Sequence, residues 1–171
     1  MRRFGTEALA GKDCGGMNVE LKQPEAQALS PFSFFQGKVE FSGFVQDLTG
    51  KVRRHYRGDI ACKTDGPTLV LDESLYFNDG ADEKRVWEIS QVGDALEGTA
   101  NDLVGTAKVT PVNKDEMRWT YVMEIEIGGK RRPFDFEDVF VQTDSHTMVA
   151  KTTMSKFGIP LARLLSTYRR V

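Results

Sequence analysis

Cysteine and histidine are nearly missing from this chain. Cys14 and Cys62 are its two cysteines and His55 and His146 its two histidines, in 171 residues. Two thiols cannot build a disulfide framework or, alone, a zinc site, and two imidazoles narrow the choice of metal ligands and acid–base groups further. No metal and no cofactor are therefore expected, and a reducing, cytoplasmic setting is the default, or a periplasmic one if a leader has been removed. Long apolar runs are also lacking: none approaches the roughly 20 residues that span a bilayer as a helix. Arg2 and Arg3 are not followed by an apolar core, so the chain as given carries no signal peptide. Charge of one sign is not in excess either. The net charge of -2 argues against a general nucleic-acid binder, which presents a basic face. Basic residues cluster only locally, at Lys51 to Arg57, Lys130 to Arg132 and Arg169 to Arg170. There is no P-loop, no dinucleotide fingerprint, no His-Glu-x-x-His and no nucleophile elbow.

What the chain does have is alternation. Residues 1 to 30 are polar, Gly-rich and without period, which reads as a flexible N-terminal arm, and 31 to 171 read as one β-barrel domain. Phe32, Phe34 and Phe35 are placed to plug one end of the core. The stretch from Leu69 to Val109 reads as consecutive strands: a run ending at Phe77, then Glu83 to Gln91, Ala95 to Asp102 and Leu103 to Val109. Asn78, Asp79 and Gly80 supply a turn, because Asn and Gly tolerate positive φ and Asp bonds its own backbone. Val39, Phe41, Gly43 and Val45 share one face of a first strand, and Val52 to Cys62 forms a second. Trp119, Tyr121, Met123, Ile125 and Ile127 share the inward face of another, and Gly128 and Gly129 suit a tight hairpin after it. Phe134, Phe136 and Phe140 line the strand that returns, and Thr147 to Met154 continues the meander. Pro160 suits the first position of a short helix over Leu161 to Tyr168, with a final strand as the alternative. Short strands with short turns and hairpin connectivity predict an all-β, antiparallel up-and-down barrel of about 8–10 strands. Barrels of that size can enclose a small ligand.

Several inward positions are ionic. Glu73 falls in line with Leu71 and Leu75, Arg85 with Trp87 and Ile89, Asp138 with Phe136 and Phe140, Arg54 with Val52 and Tyr56, and Asp102 with Gly98 and Ala100. Ionised groups are costly in an apolar interior unless they are paired or hydrogen-bonded. Three readings stay open: a structural ion-pair network near the rim, a cluster anchoring a polar ligand group, and catalysis by a paired carboxylate. Trp87, Trp119 and Tyr121 are core aromatics or cavity wall, and Cys62 is a small buried apolar side chain. Gly98, Ala100, Gly105 and Ala107 leave little volume, as a sharp barrel bend needs or as a ligand would.

An ordered set of motifs then carries a family resemblance from about Phe34 to the C-terminus. They are Phe34-Phe35-Gln36-Gly37, Gln46-Asp47-Leu48-Thr49-Gly50-Lys51-Val52, Leu71-Asp72-Glu73 with Asp79-Gly80, and Arg85-Val86-Trp87. Gly98-Thr99-Ala100-Asn101-Asp102-Leu103-Val104-Gly105-Thr106-Ala107, Arg118-Trp119-Thr120-Tyr121, Phe136-Glu137-Asp138 and Met154-Ser155-Lys156-Phe157-Gly158 continue the set. The chain resembles a bacterial family of uncharacterised, lipocalin-like proteins that are often lipoproteins. The resemblance implies a calycin-type barrel with a role in lipid handling. Three departures stand out: Lys12 and Asp13 before Cys14 disrupt a lipoprotein site, Val139-Phe140 replaces a Trp-Met pair, and the Gly-x-Trp start of true lipocalins is absent.

The expectation is a barrel that binds a small apolar molecule, a fatty acid or a lipid derivative, without nucleic acid and without an integral membrane segment. Arg54, Glu73, Arg85, Trp87, Asp102, Trp119, Tyr121 and Asp138 are the candidate ligand-binding residues. An enzyme such as a cyclase or isomerase, using Asp102, Glu137 or Asp138 as acid or base, is the alternative, and a solidly packed structural barrel is the third reading. A void of a few hundred cubic ångströms separates the first two from the last.

Overall fold

The computed structural model describes residues 29–171. Cys14 and all of the expected arm except Leu29 and Ser30 lie outside the described residues. Ten strands follow one short helix: α1 (Pro31–Phe34), β1 (Gly37–Asp47), β2 (Val52–Asp65), β3 (Thr68–Phe77), β4 (Asp82–Val92), β5 (Ala95–Thr99), β6 (Ala107–Pro111), β7 (Glu116–Ile127), β8 (Lys130–Gln142), β9 (Thr147–Lys156) and β10 (Ile159–Arg170). Each strand pairs antiparallel with its neighbours in the chain, and β10 returns to pair with β1, which closes the barrel. Closure leaves no free edge, so every strand finds its backbone partners within the molecule.

The alternation explains the inside. Val39, Phe41, Tyr56, Ile60, Leu69, Leu71, Trp87, Ile89, Trp119, Phe136 and Phe140 are all buried. The outward positions between them carry Glu40, Arg57, Asp72, Glu88, Arg118 and Glu137, all exposed. A membrane-spanning barrel has the inverse distribution, with an apolar band outside.

At one end α1 acts as the plug that the phenylalanines predict. Ser30 caps it, its side chain accepting from the Phe32 N–H, and Pro31 opens it, where a missing N–H costs nothing. Leu29 and Phe34 are fully buried there, and the Leu29 N–H donates to the Lys114 carbonyl across the end. The opposite end carries the β1–β2, β3–β4, β7–β8 and β9–β10 turns and is the mouth.

Four expectations need correction. The segment after Pro160 is strand β10, not a helix: Ala162, Leu164, Ser166 and Tyr168 alternate inward, and only a strand there can close the ladder with β1. Pro160 sits at the start of that strand, where a missing donor is tolerated. β5 ends at Thr99 and β6 begins at Ala107, so Asp102 and Leu103 belong to the loop between them, tied to β7 by the Leu103–Met123 bridge. Val52 is exposed because a bulge shifts the pairing between Val45 and Gln46 and turns its side chain away from the Arg54 face. Ile127 is exposed as well, since β7 runs past the rim before it turns.

Candidate functional site

The barrel encloses a cavity of about 250 Å³. Its wall is mostly aromatic and aliphatic, with Phe41, Tyr56, Trp87, Trp119, Tyr121 and Phe136 among the contributors. The rings hold one another in edge and stacked contacts: Trp87 lies 5.5 Å from Trp119 and 5.4 Å from Tyr121 in T-shaped pairs, and Tyr121 stacks on Phe136 at 5.3 Å. Interlocked rings of this kind fix the shape of the wall.

Of the eight residues expected to form a site, Arg54, Glu73, Arg85, Trp87, Trp119, Tyr121 and Asp138 line this one cavity. Asp102 does not line it; it stands behind Arg85. Arg85 Nε donates to both Asp102 oxygens, at 2.9 and 2.8 Å, and Nη2 reaches Oδ2 at 2.7 Å. Arg85 Nη1 lies 3.6 Å from Glu73 Oε2, which also accepts from Trp87 Nε1 at 3.3 Å. Burial pushes the Glu73 carboxyl upward, while Arg85 and the indole N–H oppose the shift. Desolvation works against the Arg85 charge, but its two carboxylates outweigh that and hold the guanidinium firmly protonated. This cation is spoken for. Removing it would strand buried carboxylates, a loss of about 3–5 kcal/mol for a buried pair.

A second polar group sits on β7, β8 and β9. Tyr121 donates its hydroxyl to Asp138 Oδ2 at 2.9 Å. Burial raises the Asp138 carboxyl to about 6, opposed by the nearby hydroxyls of Thr152 and Tyr121, which favour the charged form. Among the described residues Asp138 Oδ1 and Trp119 Nε1 have no hydrogen-bond partner, although both are buried. Trp119 and Asp138 face each other in the β7–β8 register. One unmet acceptor and one unmet donor therefore come from adjacent positions in the same wall, and unmet buried polar groups are costly unless something complements them.

Arg54 guards the mouth. Its guanidinium lies 3.5 Å over the Phe77 ring, and Nη2 donates to Asp79 Oδ1 at 2.9 Å. The carboxylate pair raised as an acid–base possibility is not assembled: Glu137 points outward beside Arg118, and Asp102 is committed to Arg85. Cys62 is half-buried, and burial pushes its thiol up to about 11. Gly98 and Ala107 do meet across β5 and β6, but a Cβ at Gly98 would make only ordinary contacts.

Sequence reasoning missed Ser166, Tyr168 and Thr152. Tyr56 Oη and Ser166 Oγ lie 2.6 Å apart, and burial pushes the Tyr56 phenol up to about 12. The signal for Ser166 and Tyr168 is their shared parity with Ala162 and Leu164, which reading that segment as a helix conceals.

No functionally curated protein matches the chain. Among solved structures the barrel is similar to that of the S-type phycobiliprotein lyase CPES from Guillardia theta, at 11% identity and a TM-score of 0.57, over 84% of this chain and 93% of that one. It also matches EF1p2_mFAP2b bound to DFHBI, at 9% identity and a TM-score of 0.47, over 82% and 96% of the two chains. At 11% identity the likeness to the lyase is one of fold. The family described as Protein of unknown function (DUF3833) matches residues 8–170, and the chain belongs to that family.

Proposed function

We propose that the protein binds a small, mostly apolar molecule inside its barrel and takes an uncharged hydrogen-bonding head at Trp119 and Asp138. The observation that carries this is the cavity of about 250 Å³, with its aromatic wall and its two unpartnered polar atoms. Ligand sites are commonly of this composition, apolar with a few placed polar groups. A void of that size also argues against the solidly packed barrel.

The head is uncharged because of the lumen's own balance. Arg85 is matched by Asp102 and Glu73 together, and Asp138 adds a further acid with no cation bound to it. A carboxylate placed beside Asp138 would meet repulsion in a medium of low dielectric. A lipid derivative with an alcohol or amide head suits this wall, and a fatty acid suits it only as the neutral acid.

Trp87 and Trp119 are the two tryptophans of the chain and both line the cavity, so tryptophan emission reports directly on occupancy. Titration with a fatty alcohol, its primary amide and the fatty acid of equal length is expected to rank the neutral molecules first at pH 8. The acid should gain affinity as the pH falls. Tighter binding of the acid at pH 8 would refute the assignment of the head. No change in emission with any of the three, together with no bound mass in native mass spectrometry of the purified protein, would refute binding altogether.

A further inference from the structure

The mouth end carries a surface that the lumen does not explain. Three hairpin tips lie side by side there, since β7–β8, β9–β10 and β1–β2 follow one another around the barrel. They expose Ile127, Phe157, Ile159, Leu161 and Leu48, with Phe157 89% and Ile159 63% exposed. Scattered apolar residues are ordinary on a surface, but a group of them on adjoining tips marks a contact site.

Phe157 is the more telling because its backbone disfavours it. Phe157 and Gly158 form a two-residue turn between paired Lys156 and Ile159, with φ of 52° and 75°. Turns of this form prefer Asn-Gly, and a bulky side chain at positive φ is a real outlier. Here that strain holds a phenyl ring out in water.

The same tips are basic. Lys51, Lys130, Arg132 and Arg163 are exposed, and among the described residues they have no ion-pair partner. Arg53 and Arg131 add to them, partly offset by Asp47, Glu124 and Glu126, the last opposite Arg131 in the β7–β8 register. The β3–β4 tip, beside β1–β2 on the side away from β9–β10, is acidic, with Asp79, Asp82 and Glu83, of which Asp79 pairs with Arg54. In a chain of net charge -2, cations and exposed apolar side chains are thus gathered on one side of one end.

We infer that these three tips dock on the surface of an anionic lipid bilayer, with Phe157 and Ile159 entering the interface and the flanking lysines and arginines meeting the headgroups. Charge complementarity selects this occupant: amphipathic surfaces rich in Lys and Arg, with aromatic and aliphatic residues between them, bind membranes in this way. The acidic β3–β4 tip turns away from the surface, which leaves the lumen mouth tilted at its edge.

The test is co-sedimentation of the full chain with vesicles of phosphatidylcholine mixed with phosphatidylglycerol, and with phosphatidylcholine alone. The protein is expected to sediment with the mixed vesicles, weakly with neutral ones, and less as salt rises. Phe157→Asn with Ile159→Thr should lower binding by about tenfold or more, in line with the apolar area withdrawn from the interface. Asn is favoured at positive φ and Thr suits a strand, so loss of fold does not explain that result, and an unshifted melting curve verifies it. Val92→Asp, at an exposed apolar site on the other end, should bind as the parent does. Equal binding to both vesicle types, or undiminished binding by the double variant, overturns the proposal. So does a dimer of the parent in light scattering without lipid that the double variant abolishes, because the tips would then serve a second copy.

Discussion

Asp138 is the residue whose surroundings and chemistry are most at odds. Its carboxyl is raised to about 6 by burial, so above that pH the fold carries a buried charge that the unfolded chain solvates freely. The folded value lies above the unfolded one. The stabilising effect of the bound proton is therefore complete below the usual carboxylate value near 3.8 and is lost as pH rises through 6. A shift of this size corresponds to about 3 kcal/mol, and Glu73, raised for the same reason, adds to it. Urea unfolding midpoints should accordingly rise as pH falls from 8 to 5. Asp138→Asn, which still accepts from Tyr121, should be more stable than the parent at pH 8 and show a flatter profile. An unchanged pH profile in that variant would place the effect elsewhere. Glu73, Arg85 and Asp138 could be read from parity alone, because a strand's period of two assigns a face to every position between bulges. Which carboxylate Arg85 would choose could not be read, since Asp102 reaches it from a loop whose path no alternation describes.

Among the elements, β1, β2 and β10 meet where two glycines do more than turn the chain. Neither Gly43 nor Gly58 sits in a turn or at positive φ; each is a place where a neighbouring strand comes too near for a Cβ. At Gly43 the added atom would strike the Leu165 carbonyl and the Tyr56 ring, and at Gly58 the Ser74 carbonyl and the Phe41 ring. Gly43→Ala should therefore cost about 1–3 kcal/mol, as overpacking does, and it should disturb the Tyr56–Ser166 contact. Chemical denaturation with Gly58→Ala alongside would measure it; a neutral Gly43→Ala would mean that the seam yields. The hairpins from β1 to β4 and from β7 to β9 were legible because alternating side chains and turn residues agree there. β10 was not, because Pro160 suits the start of a helix and of a strand equally well, and only the need to close the ladder decides between them.

At the scale of the molecule the barrel separates two tasks by end. α1 seals one end with Leu29 and Phe34, and the other combines the lumen mouth with the basic and apolar tips. The closed fold was legible from hairpin connectivity, but its hollowness was not, because the wall residues of a filled barrel and of an open one follow the same alternation. The integrity of the lumen depends on β10. A chain ending after Lys156 leaves β1 and β9 without partners along one side and should lose cooperative unfolding in circular dichroism while gaining binding of a hydrophobic dye. A sharp transition in that truncated chain would show that nine strands suffice.

The pairing of β1 with β10 has a further consequence for how the protein is made. During synthesis the first strand emerges from the ribosome more than a hundred residues ahead of its partner. Throughout that interval its outer hydrogen-bonding edge stays open to any other nascent strand. Lys38 and Glu40, exposed on that strand, are the kind of charged edge residues that deter mispairing until the last strand arrives.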